Sequence, residues 1–369
     1  MLNTTLPKLR CPSCTGALQV LNPRQTASGE VIEITSGELQ CSSCSANYPI
    51  LAGVALLVTD VHSYLVEHVK GISQVVADSD IPAAFRSDYL EAKEEIEIEH
   101  IEEDLEADRV ISLYLANHYL NTSGEEWWKP QEGSQSTLIS SLIREHWDHG
   151  PFATIGAWVD YELNPQKQIQ TVVELGCGVG GLSQTLKGHV RSYLGFDSSF
   201  ASIALGRHLA LGVPYSKRLA IPNDLLAGPV TREVRLKIPR SFDGSIDLVV
   251  GDIENPPIIR GIFDLSVALN ALDMMPDPRV LPEAQRDLLK PGGIAIQSCP
   301  YIWHEVVARD LRELLPKTVK DSASAAEWLY EQSGFEIQKK VDQLPWLFFK
   351  HVRQLEIYSV QLFLAHKTK

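Results

Sequence analysis

The 369-residue chain has no apolar run approaching the roughly twenty residues that cross a bilayer. Its longest, Ile50–Val58 (ILAGVALLV), holds nine residues and reads as a buried strand, so no membrane partner is expected. The first residues, MLNTTLPKLRCPSC, lack the long apolar core of a secretory leader, which favours a cytoplasmic protein. An excess of basic charge is also missing: 47 acidic against 33 basic side chains leave a net charge of −14. Bulk charge therefore offers no footprint for nucleic acid, although a local basic patch stays compatible with one. There is no low-complexity tract, and no repeat beyond a duplicated cysteine pair. Cysteine itself is scarce, at six residues.

The placement of those cysteines is informative. Four fall in the first 44 residues, as CPSC (Cys11, Cys14) and CSSC (Cys41, Cys44). Each turn can aim two thiolates at one metal ion, and two such turns complete a tetrahedral zinc site. Two disulfides or unbound thiols are the alternatives, and a reducing compartment disfavours the former. With every ligand position taken by sulfur the zinc would be structural, replacing the core that so small a unit cannot build. ALQVL and EVIEITSGELQC between the knuckles read as strands. The segment that follows, ANYPILAGVALLV, resembles the small zinc-ribbon activator proteins that partner tRNA, ribosomal RNA and translation-factor methyltransferases. The resemblance implies a ribbon docked on a methyltransferase, here within one chain.

Three segments are expected: a zinc ribbon at 1–60, a helical linker or cap at 61–150, and a catalytic domain at 151–369. From Ile81 to Val110 eleven acids face three bases, which reads as a solvated helix surface. Asn121–Ser136 is turn-rich and carries Trp127 and Trp128, either packed against the neighbouring domain or covering a ligand. STLISSLIREHW then reads as a helix with Leu138, Leu142 and Ile143 on its inner face. His146 and His149 share a helix face but lack a partner to complete a metal site, and read as surface or cap residues.

Beyond Pro151 strands alternate with helices, near Thr171–Leu175, Ser192–Phe196, Ile246–Val250, Phe263–Leu269, Gly293–Ser298, Phe335–Val341 and Leu355–Ala365. The fold class expected is α/β, a Rossmann-like doubly wound seven-stranded mixed sheet whose last two strands form an antiparallel edge pair.

The first strand runs into VVELGCGVGGL. Gly176, Gly178 and Gly181 fit a dinucleotide fingerprint, whereas Gly176, Gly178 and Gly180 fit the loop that holds S-adenosylmethionine. Glu174, two residues before the loop, would repel a pyrophosphate but attract an ammonium and a sulfonium. Asp197, ending the second strand beside Ser198, is placed for ribose hydroxyls, which either cofactor carries. Asp252, after the third strand, is placed to receive an adenine amino group, and resemblance to methyltransferases with the pattern G-D-x-E-N-x-P implies that Asp252 and its neighbour Ile253 flank the ring. This ordered set, with LLKPGG leading into the fifth strand, resembles class I S-adenosylmethionine-dependent methyltransferases over about 200 residues. ENPPI (Glu254–Ile258) resembles the N-P-P-aromatic motif of amide and adenine methyltransferases. It lacks the aromatic and follows the wrong strand, so that reading is set aside.

Transfer from an activated methyl group needs an in-line nucleophile and, for a protonated one, a base within reach. Asn270, Asp273, Tyr301, Trp303 and His304, at the ends of the fourth and fifth strands, are the candidates, and Asn270 also faces the cofactor. Cys177 and Cys299 read as packing thiols. SCPYIWHEVV, EADRVISLYLANHYL and the tail LPWLFFKHVRQLEIYSVQLFLAHK resemble the mercaptohistidine N-methyltransferase domain of ovothiol biosynthesis, through Ser298, Pro300, Tyr301 and Trp303. Lys350, His351 and Arg353 stand where that family has an arginine-rich helix. The resemblance implies a small polar acceptor, imidazole- or amino-acid-like. The ribbon and the basic insertion Lys217–Arg240 depart from that family. An RNA or protein substrate, with the ribbon as built-in activator, is the alternative, and a non-catalytic binding protein a third.

Overall fold

The computed structural model describes residues 1–28, 31–99, 115, 117–119, 138–162, 170–213, 215–220, 231–236, 246–351 and 354–368. Four strands open the chain: β1 Leu18–Ser28, β2 Val31–Cys41, β3 Asn47–Leu51 and β4 Val54–Leu57. Helices α1 Val61–Glu67, α2 Val69–Ser73 and α3 Ala83–Glu99 follow, then α4 Leu138–His149 and α5 Pro151–Glu162. The second half runs β5 Thr171–Leu175, α6 Leu182–Thr185, β6 Ser192–Asp197, α7 Phe200–Ala210, β7 Tyr215–Ala220, β8 Thr231–Leu236, β9 Ile246–Gly251 and β10 Phe263–Leu269. It closes with α8 Val280–Leu288, β11 Leu289–Cys299, α9 Glu305–Leu314, α10 Ser322–Gln332, β12 Phe335–His351 and β13 Gln354–Lys367.

The main sheet has eleven strands, in the order β1-β2-β3-β4-β9-β6-β5-β10-β11-β13-β12, and this corrects the seven expected. The seven from β9 to β12 do form a Rossmann-like sheet with an antiparallel pair, β13 and β12, at one edge. The other edge is not free. Leu56 pairs with Val250 and Leu57 with Gly251, so β4 of the ribbon adds to β9 in parallel. An unpaired β9 would present a row of open N–H and C=O groups beside apolar side chains, and β4 satisfies them. The run Ile50–Val58 is a hairpin rather than one strand, because Ala52 and Gly53 take positive φ (47° and 79°) and turn β3 back into β4. Strands β7 and β8, from the basic insertion, pair separately as a two-stranded sheet.

Interlocking continues at the side-chain level. Arg207 of α7, 4% exposed, pairs with Glu33 of β2 at 2.8 Å and contacts Asp247 of β9. The Leu2 N–H donates to the other Asp247 oxygen at 2.7 Å. One buried cluster runs from Leu39 and Tyr48 of the ribbon to Leu364 near the C-terminus. His146, expected at the surface, is buried: its ring packs near Trp346 and its Nδ1 accepts the Leu347 N–H at 3.4 Å. His149 is exposed, and Leu138, expected to face inward, is 75% exposed, while Ile143 carries the burial. Where an arginine-rich helix was the comparison, β12 continues to His351. Arg353, Trp127 and Trp128 lie outside the described residues.

Candidate cofactor and acceptor site

Chain order reverses between β5 and β10, and in open α/β sheets ligands bind at such a switch point, beyond the carboxyl ends of the strands. The cofactor and acceptor candidates from Glu174 to His304 follow the carboxyl ends of β5, β6, β9, β10 and β11. Gly176, Gly178 and Gly180 follow β5 with φ of 69°, 52° and 72°, a left-handed run that side chains resist. A Cβ on Gly178 would meet nothing within 4 Å, so open space lies over the loop. Gly181 does not share that conformation, with φ of −62°. Its missing side chain instead admits His118, whose ring atoms would lie 2.5 Å from a Cβ there.

Glu174 is buried at the tip of β5 and accepts the Tyr193 hydroxyl hydrogen. Burial pushes its carboxyl well above the ordinary range, and the charge of Asp197 adds to the effect. Asp197 ends β6 and accepts the N–H groups of Gly178 and Ser199, both at 2.9 Å. Burial raises its carboxyl too, against the pull of those N–H donors. Ser198 is exposed and its carbonyl accepts the Tyr64 hydroxyl at 2.6 Å. Asp252 is exposed after β9 and accepts the Glu254 N–H at 2.9 Å. The Ile253 Cδ1 lies 3.5 Å, and the Ala271 Cβ 3.6 Å, from where a Cβ on Gly176 would be. The strands thus bring Glu174, the glycines, Asp197 and Ile253 around one space. Three carboxylates at consecutive strand tips suit a cationic nucleoside and oppose a pyrophosphate, so these residues fit S-adenosylmethionine.

On the acceptor side, Asn270 and Tyr301 take positive φ (53° and 59°) just beyond β10 and β11. Non-glycine residues hold that conformation only when their surroundings enforce it. Here the Asn270 N–H donates to the Ser298 carbonyl at 2.8 Å, and the Ser298 hydroxyl donates to Asn270 Oδ1 at 2.9 Å. Asp273, 6% exposed, accepts the Ile302 N–H at 2.6 Å, tying the two tips together. The Tyr301 hydroxyl donates to Gln361 on β13, and its ring stacks on Trp303, whose Nε1 donates to Ser322. His304 is exposed at the start of α9. Cys177 and Cys299 are buried.

Three aromatic contacts at this site left no mark in the sequence. Tyr64 reaches it from α1, and Tyr119 donates to the Val179 carbonyl at 2.6 Å from the helical segment. Tyr193 lies within β6 itself. The first two join segments far apart in the chain. The closeness of Tyr193 to Glu174 comes from the β5–β6 register, which pairs Val172 with Tyr193 and Glu174 with Gly195.

In the ribbon, ligand atoms of Cys11, Cys14, Cys41 and Cys44 all lie within 4.8 Å of one another. The Cys11–Cys44 and Cys14–Cys41 sulfurs are 3.6 and 3.4 Å apart, near the ~3.8 Å edge of a tetrahedron with Zn–S bonds of about 2.3 Å. Four thiols at this spacing fit one structural zinc ion.

Fold and site together define an S-adenosylmethionine-dependent methyltransferase with a zinc ribbon. Residues 144–340, more than half the chain, match the family described as "Methyltransferase domain", and the chain belongs to it. Residues 3–53 match "Trm112p-like protein". A comparison with curated proteins returned no match. Similar solved structures include magnesium protoporphyrin IX methyltransferase from Synechocystis PCC 6803 with bound S-adenosylhomocysteine. It is 16% identical with TM-score 0.39, covering 71% of this chain and 100% of that one. YcgJ from Bacillus subtilis is 11% identical with TM-score 0.41, covering 59% and 100%. A chain of the complex between the Haloferax volcanii Trm112 methyltransferase activator and a methyltransferase is 16% identical with TM-score 0.37, covering 62% and 92%. No helix among the described residues is long and apolar enough to cross a membrane.

Proposed function

We propose that this methyltransferase acts on a small polar acceptor, an imidazole- or amino-acid-like nitrogen, in the cytoplasm. In this reading residues 151–369 carry the chemistry, 61–150 are a helical linker or cap, and the ribbon of 1–60 is a scaffold. The observation that carries it is that Asn270 and Asp273, both just after β10, are each hydrogen-bonded to the end of β11, through Ser298 and Ile302. Asn270 Oδ1 is occupied by the Ser298 hydroxyl, which leaves the Nδ2 hydrogens to orient an acceptor molecule. Asp273 Oδ2 takes the Ile302 N–H and its carboxylate also meets the Cys299 thiol; in this reading it is the group that accepts a proton from the nitrogen as it gains its methyl group. The ribbon joins the sheet five strands from β11, about 24 Å at ordinary strand spacing, which suits a scaffold better than a substrate arm.

Glu174, Gly176, Gly178, Gly180, Asp197, Ser198, Asp252, Ile253 and Asn270 would hold S-adenosylmethionine, which supplies the electrophilic methyl group. Tyr301 and His304 complete the acceptor side, Tyr301 through its stacked ring. Incubation of the protein with methyl-labelled S-adenosylmethionine and fractionated cell extract tests the reading. Label should enter the small-molecule pool. Label confined to RNA or to protein would replace the proposed acceptor with that macromolecule.

A further inference from the structure

We propose that Asn255 is a positioning residue that couples zinc binding in the ribbon to cofactor binding at the glycine loop. The segment Asp252–Arg260, following β9, touches both places. On one side Ile253 lies beside Gly176, its Cδ1 3.5 Å from where a Cβ on that glycine would be. On the other the Asn255 Nδ2 donates to the Pro12 carbonyl at 2.5 Å, and Pro12 stands between the zinc ligands Cys11 and Cys14. Backbone bonds extend this grip. The Arg10 N–H donates to the Pro257 carbonyl at 2.9 Å, and the Ile259 N–H to the Lys8 carbonyl at 2.8 Å. Leu9 and Ile258 form a β-bridge.

Between the two contacts the loop is stiff. The Glu254 N–H closes a turn onto Asp252 Oδ1 at 2.9 Å. Pro257 packs so tightly on Gly251 that a Cβ there would come within 2.8 Å of its ring. A short, closed loop anchored at both ends transmits a displacement from one anchor to the other. The knuckle owes its shape to metal ligation, so the position of the Pro12 carbonyl depends on zinc. The coupling must then be reciprocal: what zinc does for the cofactor, the cofactor does for zinc. The motif ENPPI thus serves as the seat of the ribbon. This inference rests on the reading that Ile253 lines the cofactor.

The experiment uses the full zinc-loaded chain, with S-adenosylhomocysteine as probe. Its affinity is measured by calorimetry, and zinc release to a chromogenic chelator is timed with and without it. In the parent protein S-adenosylhomocysteine should slow zinc release. Asn255→Ala should retain one zinc, bind the probe about three- to tenfold more weakly, as expected for one lost hydrogen bond, and release zinc at a rate indifferent to the probe. A merely structural role would speed zinc release by the same factor with and without the probe, and that result overturns the proposal. Should Asn255→Ala fail to fold, the isosteric Asn255→Asp, which lacks the amide donor, carries the same test. Ile253→Ala separates the two readings. If it leaves affinity unchanged, the cofactor reading fails and the coupling with it. If it weakens binding while Asn255→Ala behaves like the parent, the coupling alone fails.

Discussion

Leu56 and Val250 are register partners in parallel strands, one from the zinc ribbon and one from the methyltransferase sheet. Both side chains are fully buried. The ribbon is therefore the outer end of the same sheet, and its stability and that of the cofactor site are not separable. Leu56→Ala should cost about 2–5 kcal/mol, the usual range for a buried leucine truncated to alanine. Chemical denaturation followed by ribbon and sheet probes should show one earlier, shared transition. Two transitions, with only the ribbon shifted, would show that the halves fold independently.

The four cysteine sulfurs should hold one zinc ion per chain, measurable by elemental analysis. Cys11→Ser or Cys44→Ser should lose the metal and give insoluble or partly unfolded protein. Cys11 is the more sensitive site, because the Tyr48 hydroxyl lies 3.0 Å from its sulfur and is buried with it. Full zinc retention in both variants would remove these residues from the ligand set.

Glu174 and Asp197 are held above their ordinary carboxyl values, 4.5 and 3.8, chiefly by burial. A raised carboxyl favours the folded chain while protonated, so the stability it lends is complete below those ordinary values and fades as pH rises through the raised ones. A cationic ligand prefers the ionised pair. S-adenosylmethionine affinity should therefore climb with pH above about 4.5 and level off once both groups are ionised. Glu174→Gln should flatten the curve and weaken binding by about 10- to 100-fold, the range for a lost charged hydrogen bond. Calorimetry across pH decides it, and an unchanged slope in the variant would exclude Glu174.

His146 titrates in the opposite sense. Burial, partly opposed by a hydrogen bond to the Pro345 backbone, lowers its imidazole to about 4 from the usual 6.5. The neutral ring lends stability that is complete above pH 6.5 and is lost as pH falls toward 4. His146→Gln should remove roughly 2–3 kcal/mol of acid sensitivity across that window. The measurement is the difference between parent and variant unfolding free energies at each pH, which cancels the carboxyl contribution. Parallel curves would mean that folding does not shift the His146 imidazole.

Legibility followed the range of the interactions. Strands β5, β6, β9, β10, β11, β12 and β13 announced themselves because alternating helices and continuous apolar runs are local patterns. The glycine loop was readable for the same reason: Glu174 and three glycines within seven residues state a backbone conformation and a charge together. Leu138 and His146 were misjudged because helix periodicity places residues on a face without saying which face the sheet will cover. Ile50–Val58 was misread because apolarity alone does not reveal the left-handed turn at Ala52 and Gly53 that folds it in two.

The sequence by itself determined a four-thiolate knuckle pair and the three strand-tip carboxylates, since metal ligation and charge complementarity depend on residue type and short spacing. Only the tertiary structure decided that β4 extends the sheet at β9, that Tyr64 and Tyr119 bond the Ser198 and Val179 carbonyls, and that Asn255 grips Pro12. Such contacts join residues up to 243 positions apart. No local preference encodes them, because strand edges and loop carbonyls find their partners only once the whole chain has packed.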